Sequence, residues 1–440
     1  MQIGLAEVNI TPPLGMQVPG YGSMKRPASG VKDELMTKAM VIESKGQTLA
    51  FIVLDILSLE RDISQAIRKR VHEFTGIPEE AIMISCTHTH TGPPRQMAES
   101  DDAYYEVLVQ KSADAAIMAH SRKVKAKIGF GRGYEDTVAF NRRFFMKDGT
   151  VMTNPGILNP DIVRPEGPID PEITVMRIDD ENGNPLGIVS NYALHTDTVG
   201  GNEYSGDFPA YISRIVKRTY GEHVVSIFFQ GASGNINHID VSGRNLDQPL
   251  PDYIRIGEIL GHEICKVRNK IKADLEDVNL SVESRIVEVS ERKLTEAEVA
   301  WARERLEALA GMKEEEMSLR QLLDRSFAMN RLRVYDQPVP VHSYEIQTAA
   351  IGDLAVCALP AEIFVEFGME IKKNSPFEYT MINELSNGSG NGYVCTREAY
   401  ENGGYEPTGH RFAVEAGEIF VNTTMELLGN LRQKEEAAAK

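Results

Sequence analysis

Apolar and polar positions alternate between two periods along the first ninety residues. Residues 2–9 and 38–44 carry short alternating or apolar runs of strand type. TLAFIVLDIL (48–57) is nearly continuous in apolar residues, as in a strand covered on both faces, and it ends near Asp55. RDISQAIRKRVHEFTG (61–76) shifts to helical spacing and closes on Gly76, which can take the left-handed C-cap conformation. AIMISC (81–86) returns to a buried strand pattern and runs directly into Thr87-His88-Thr89-His90. Strand, helix, strand in this order predicts an α/β architecture.

The pattern recurs downstream. EITVMRID (172–179) and PLGIVSNYALH (185–195) read as strands around a turn at Glu181-Asn182-Gly183-Asn184. FPAYISRIVKRTYG (208–221) is helical and ends on Gly221, VVSIFFQG (224–231) is a strand, and YIRIGEILGHEICKVRNKI (253–271) is a helix. Residues 279–290, 343–350 and LAVCALP (354–360) are strand-like. EIFVNTTMELLGNLRQ (418–433) is a closing helix followed by a tail, KEEAAAK, expected to fray. Residues 294–333 differ: Glu, Arg, Leu and Ala at helical spacing, interrupted near Gly311, predict a helical hairpin with a solvated charged face. No internal repeat and no Pro/Gly/Ser-rich linker divides the chain. The expected organisation is one domain over 1–440, of α/β class with mixed β-sheets flanked by helices, carrying the hairpin 294–333 as an insertion.

Composition narrows the partners. The net charge of −17 argues against nucleic acid and against an anionic membrane surface, which require clustered Lys and Arg. No run of ~18 apolar residues is present to span a membrane. The first residues lack the basic and apolar regions of a signal peptide. Cys86, Cys265, Cys357 and Cys395 are scattered with no CxxC spacing, as expected of reduced thiols. A cytoplasmic location is the expectation, and Asn-x-Thr at Asn9 then carries no meaning. A homo-oligomer is compatible with the sequence.

Only ten histidines occur in the chain, and two are spent in SCTHTHTGPP (85–94). On an extended backbone His88 and His90 face the same way. They can converge on one metal, or one can ligate while the other acts beside it, or the two can form a hydrogen-bonded surface pair. Other polar residues also follow strands: His195 with Thr196 and Asp197, Asp207 in YSGDFPAY, and Gly231, Gly234, Asn235 and Asn237 in FFQGASGNINHI. Sites of open α/β sheets form at strand carboxyl ends, although Asp207 alone reads equally well as a helix N-cap. Glu362 follows a strand in LPAEIF, and NGSGNGYVCTREAY presents Tyr393 from a Gly- and Asn-rich loop.

Taken in order, these segments resemble the catalytic domain of the neutral (alkaline, non-lysosomal) ceramidase family of zinc-dependent amidases. IGLAEVNITPP is similar to the family's opening strand and turn, and SCTHTHTGPP to its His-Thr-His-Ser-Gly-Pro motif. AFNRR is similar to its Asn-Arg-Ser motif, ALHTDT to its second zinc histidine, and SGDFPAY to its Ser-Gly-Asp turn. LPAE is similar to its Pro-Gly-Glu, and NGYVCTREAYENGGYEP to its Gly-Tyr-Val-Thr-Thr stretch. The resemblance implies Zn²⁺ held by His88, His195, Glu362 and Tyr393, with His90 a close neighbour of the metal and Arg142 a cationic contact to substrate or oxyanion. It also implies that Tyr393, as a weak phenolic ligand, can release and donate to the developing negative charge.

This chain departs from the family pattern in three ways. Where the family has Gly-Asp-Val-Ser-Pro-Asn, it has Gly234-Asn235-Ile236-Asn237-His238, so the family's proposed active-site serine falls on Asn237 and zinc-activated water is the expected attacker. His238 next door can assist a proton transfer or be structural. The match ends soon after Tyr393, short of an immunoglobulin-like C-terminal domain, and no secretion signal is seen. The resulting expectation is a zinc-dependent hydrolase that cleaves an amide bond of a small polar substrate rather than ceramide, with His90, Arg142, Asn237 and Tyr393 as catalytic residues. The alternatives are another metal-assisted reaction on the same site (glycoside or ester hydrolysis, or a lyase or isomerase step on a sugar-like molecule) and a non-catalytic metal-containing binding protein.

Overall fold

A computed structural model of the chain describes residues 1–19, 26–93, 102–335, 337–388, 392–409 and 412–438. The fold is mixed α/β, as the periodicity predicts. Eight strands form one sheet in the order Val225–Gln230, Pro185–Tyr192, Glu172–Asp180, Val124–Tyr134, Gln2–Asn9, Met36–Ser44, Gln47–Leu54 and Ile82–Cys86. The two outermost pairs are parallel and every inner pair is antiparallel. A second sheet runs Leu280–Ser290, Val341–Ile351, Leu354–Ala358, Tyr379–Asn383, with only its last pair parallel.

The sheet is therefore not the open parallel one on which the strand-end argument rests. His88 follows Ile82–Cys86 and His195 follows Pro185–Tyr192, and the chain of pairings makes these two strands antiparallel across six interstrand steps. On a flat sheet their carboxyl ends would lie at opposite edges. Each step twists the sheet by ~20–25°, so six steps accumulate roughly 120–150° and turn the antiparallel relation back toward a parallel one. The curled sheet brings its edges together, and Phe51 and Phe229 pack at 5.9 Å between ring centroids.

Residues 384–387 fasten the two edges. Glu384 N donates to Gln230 O (2.9 Å) on one side, and Asn387 N donates to Ile84 O (2.7 Å) on the other. Asn387 Oδ1 accepts in return from Ile84 N (3.0 Å). Asn191 joins the second sheet to the first, its Nδ2 donating to Ile382 O (2.7 Å) and its Oδ1 accepting from Ile382 N (3.2 Å).

Helix Arg61–Thr75 ends on left-handed Gly76 (φ 73°), as its sequence predicts. The sequence reading passed over helix Asp102–Ser121 and strand Val124–Tyr134. The helix lies on the strand Gln2–Asn9 and buries Tyr105, Leu108, Ser112, Ala115, Ala116 and Ala119. This face is mostly small, while Val107 is 42% exposed, so hydrophobic contrast around the helix is weak. Close approach fixes the contact: a Cβ on Gly4 would lie 1.8 Å from Ala119 O. At the far end, helix Ala416–Ala438 continues through residues 434–438 instead of fraying, because Glu, Lys and Ala are strong helix formers. Residues 439–440 lie outside the described residues.

The expected hairpin consists of helices Glu296–Ala308 and Leu319–Val334, with the break at Gly311 (φ 83°). Each helix starts on a capping box, Thr295 with Glu298 and Ser318 with Gln321. All four cysteines are buried and free. Among the described residues no helix is long and apolar enough to cross a membrane.

Candidate functional site

The strand Ile82–Cys86 stops two residues before the first histidine. His88 is left-handed (φ 69°), so the extended geometry expected for His88 and His90 is not what aligns them. For a residue with a Cβ this conformation costs ~1–3 kcal/mol and persists only where the surroundings enforce it. They do: His88 N donates to Ile56 O (3.0 Å), and Nδ1 lies 2.8 Å from Leu57 O. With its proton on Nδ1 toward that carbonyl, His88 turns the lone pair of Nε2 inward. His90 N donates to Thr196 O (3.2 Å), and Thr89 Oγ1 and Thr91 Oγ1 both donate to Ser205 O (2.6 and 3.1 Å). These bonds hold the 88–91 loop against the loop that carries His195.

Three ring nitrogens meet as a result. His195 Nε2 is 3.1 Å from His88 Nε2 and 3.2 Å from His90 Nε2, and the first two histidines are 3.4 Å apart by the same atoms. His195 Nδ1 lies 3.4 Å from Ser233 O, behind the cluster. All three rings are buried, so the surface-pair alternative does not hold. Glu362 Oε2 completes the group at 3.4 Å from His88 Nε2 and 3.7 Å from His195 Nε2. A tetrahedral centre with metal–nitrogen bonds of ~2.0–2.1 Å spaces its donors ~3.3 Å apart. Imidazole nitrogens and a carboxylate at these separations fit a zinc-type ion. The spacing does not set His90 apart from the other two nitrogens, although the sequence reading placed it beside the metal.

Electrostatics favour the same reading for two of the three rings. Burial, with the neighbouring His88, lowers His90 to about 4. Burial likewise lowers His195 well below its ordinary range, again with His88 contributing. Both rings are neutral near pH 7 and have a lone pair to offer. For His88 burial also opposes the charged form, but Glu362, Leu57 O and Glu384 outweigh it and raise the ring.

Glu362 begins the two-residue strand Glu362–Ile363, which pairs in parallel with Tyr393–Val394 so that Glu362 and Tyr393 are direct partners. Ala361, just before, is left-handed (φ 67°). Tyr393 is buried beneath the Arg142 guanidinium, 5.0 Å from ring centroid to Cζ, and packs 5.8 Å from Tyr405. Burial and the Glu362 charge raise the phenol well above its usual value, against the pull of Arg142. Arg142 itself donates through Nε to Glu406 Oε1 (2.8 Å) and through Nη2 to Gly234 O (2.7 Å).

Asn237 is held differently from the expectation of a substrate-facing amide. Its Nδ2 donates to Asn154 Oδ1 (2.6 Å) and its Oδ1 accepts from Ile239 N (3.0 Å). These bonds hold one loop to another and take up the acceptor and one donor of the amide. Asp207 is the first residue of helix Asp207–Tyr220, left-handed at φ 57°. Its carboxylate accepts from Thr198 N and Val199 N (2.9 Å each) as well as from Phe208 N (2.6 Å). It fastens the loop after His195 rather than acting as a simple N-cap. Residues 389–391 of the Gly-rich loop and Pro94 of the first motif lie outside the described residues.

Two fully buried carboxylates near the site escaped the sequence reading. Glu384 accepts from Ser233 Oγ (2.6 Å), Ser233 N (3.2 Å) and Ile363 N (2.7 Å), linking the segments behind His195 and Glu362. Burial pushes it up to about 8, against those bonds and the His88 charge. It follows the strand Tyr379–Asn383, so the strand-end logic applied to Glu362 would have found it. Glu406 binds Arg142, Arg143 Nη1 (2.7 Å) and Thr153 Oγ1 (2.8 Å), and nothing in its local sequence announces this.

A family model described as neutral/alkaline non-lysosomal ceramidase, N-terminal, matches residues 1–238. The matched span contains His88, His90, Arg142, His195 and Asn237 and ends before Glu362 and Tyr393. Neutral ceramidase of Pseudomonas aeruginosa is 26% identical over 261 residues, 54% of this chain and 37% of that protein. Neutral ceramidase B of Dictyostelium discoideum is 25% identical over 257 residues, 54% of this chain and 33% of that protein. The matched region thus spans well under half the length of either relative. In fold, the chain is similar to the crystal structure of neutral ceramidase from Pseudomonas aeruginosa, with a TM-score of 0.74 at 19% identity, covering 98% of this chain and 74% of that one. A ceramidase complexed with C2 gives a TM-score of 0.73 at 18% identity.

Proposed function

The chain belongs to the neutral/alkaline non-lysosomal ceramidase family, and we propose that it is a zinc-dependent amide hydrolase acting on small polar N-acyl compounds. The observation that carries the reading is the convergence of three buried imidazole nitrogens and the Glu362 carboxylate on one point. His88, His195 and Glu362 would hold the metal. The two histidines each rest their far nitrogen on a backbone carbonyl, the support that fixes a ligating ring, and both face Glu362. When bound, zinc supplies Lewis acidity toward an amide carbonyl and toward water.

The remaining roles belong to the chain's own groups. Neutral His90, third in the cluster, holds or passes a proton within reach of the attacking water. Arg142, clamped by Glu406 over the Tyr393 ring, offers fixed positive charge, and the Tyr393 phenol offers an O–H donor, where the amide oxygen gains charge. Asn237 carries no hydroxyl and its amide is engaged with Asn154 and Ile239, which disfavours a covalent acyl step at that position.

Elemental analysis of purified protein should find about one zinc per chain. His88→Ala and His195→Ala should each lose most of it, together with amine release from N-acyl substrates. Full zinc retention in both variants would sink the assignment. Faster turnover of long-chain ceramide in detergent micelles than of short polar N-acyl compounds would overturn the substrate class alone.

A further inference from the structure

Three polar side chains behind the histidine cluster are completely enclosed: Gln230, Ser233 and Glu384 are each 0% exposed. Gln230 ends the strand Val225–Gln230 and grips the residues on either side of His195. Its Nε2 donates to Leu194 O (2.6 Å), and its Oε1 accepts from Thr196 Oγ1 (3.0 Å). The same Nε2 also donates to Ser233 Oγ (2.8 Å). Ser233 carries the chain of bonds onward. Its hydroxyl donates to Glu384 Oε1 (2.6 Å), while its carbonyl oxygen stands 3.4 Å from His195 Nδ1.

Glu384 then reaches the other half of the centre. Oε1 also accepts from Ser233 N (3.2 Å), and Oε2 accepts from Ile363 N (2.7 Å), the residue after Glu362. The two halves meet again where Gly234 N donates to Ile363 O (2.8 Å). Leu385 N donates to Ala361 O (3.3 Å), joining two left-handed residues, one directly after Glu384 (φ 55°) and one directly before Glu362 (φ 67°). Such backbone is kept only where the surroundings enforce it. Among the described residues no Lys or Arg pairs with Glu384. An enclosed carboxylate without a cation is costly to keep. What it offers in return is two acceptor oxygens on one rigid fork, one for each half of the centre. An amide in its place would turn N–H groups toward a donor on one side.

We propose that Glu384 is a positioning residue: it sets the separation between His195 and Glu362, so that both face a single metal ion. The inference rests on the zinc reading and names the part of this chain that gives the centre its shape.

The test measures binding of zinc and of Co²⁺ alone, by competition with a chelator, and records the visible spectrum of the cobalt protein. The proteins are wild type, Glu384→Asp, Glu384→Gln and Ser233→Ala, each with its urea stability. Asp keeps the charge but is one methylene too short to serve both halves, and Gln keeps the length but lacks the second acceptor. Both should weaken zinc binding by ~10–100-fold, as partners behind metal ligands do, and both should lose intensity in the visible bands of tetrahedral Co²⁺. Ser233→Ala is gentlest on the fold and should weaken zinc by roughly 2–10-fold, the worth of one hydrogen bond. It decides alone if the Glu384 variants do not fold. Wild-type zinc affinity and cobalt spectrum in the folded variants, even at lowered stability, would make Glu384 a structural tie and overturn the proposal. So would a wild-type Glu384→Asp beside a weakened Glu384→Gln, which would assign the effect to charge. If wild type binds neither metal, the zinc reading falls and the positioning role falls with it. If wild type binds and the variants bind equally, only the positioning role falls.

Discussion

The floor of the site and the helical hairpin 296–334 are built by opposite means. Residues far apart in sequence make the floor: His88 with His195, Glu362 with Tyr393, Arg142 with Glu406, all buried except the partly exposed Glu362. The hairpin is made from neighbours. Its helices pack on each other, each opens on its own capping box, and Leu309, Met317 and Leu322 form a small separate apolar cluster. It is tethered to the body at a few points: Arg331 Nη2 to Thr408 O (2.6 Å), Arg292 Nη2 to Pro407 O (3.1 Å), and Phe327 against Tyr405 at 5.4 Å. Local structure tolerates loss of one contact, whereas a buried polar network fails as a unit. The contrast predicts where damage spreads and where it stays.

The largest effect is expected at Glu406. Burial opposes its charge, but Arg142 and Arg143 hold the carboxyl below its ordinary range. Glu406→Ala would leave one buried guanidinium without its carboxylate and the other with Glu166 alone. Breaking a buried pair costs about 3–5 kcal/mol. Urea unfolding should show that loss, and a shift below about 1 kcal/mol, the range of a surface pair, would place the network outside the stabilising floor.

His90→Ala should be milder for the fold and sharper for chemistry. It should keep more zinc than His88→Ala or His195→Ala yet lose activity by ~10–100-fold, as partners next to a metal typically do. Zinc loss equal to that in the other two variants would make His90 a full ligand.

The smallest effect belongs to the hairpin. Glu298 is the hub of its tether, accepting from Arg292 Nη1 (2.8 Å) and Thr295 N (2.9 Å), with Arg331 at 3.5 Å. Burial works to raise this carboxyl, but Arg292, the Thr295 N–H and Arg331 lower it from 4.5 to about 2. A depressed carboxyl contributes its stability in full above its unfolded value and loses it as pH falls through the folded one. Limited proteolysis should find the hairpin intact at pH 5 and increasingly cleaved toward pH 2, with Glu298→Gln cleaved more readily already at neutral pH and zinc content unchanged. Zinc loss in that variant would show that the hairpin supports the floor after all.

The same contrast explains what could be read from the chain alone. Both hairpin helices and the break at Gly311 follow from local spacing and capping chemistry, and strands such as Ile82–Cys86 follow from unbroken apolar runs. His88, His90 and His195 were singled out because each follows such a run. Their alignment came from other causes, a left-handed His88 and an accumulated sheet twist, neither of which leaves a mark in local periodicity. Helix Asp102–Ser121 was invisible because alanines dominate its buried face. Glu406 was invisible because its partners lie more than 250 positions upstream.

The fastening of the sheet by residues 384–387 has a consequence for how the protein is made. Asn387 joins Ile84 across 303 positions, and closing so long a loop before any local reward makes folding slow. A ribosome that has released the first 240 residues has exposed all three histidines and Asp197, but neither Glu362 nor the segment that draws the two edge strands together. During that interval the emerging chain presents its three imidazoles without the Glu362 carboxylate. Synthesis of residues 362–387 therefore sets the moment at which the histidines meet their carboxylate, so the order of translation keeps an unfinished protein from carrying a finished site.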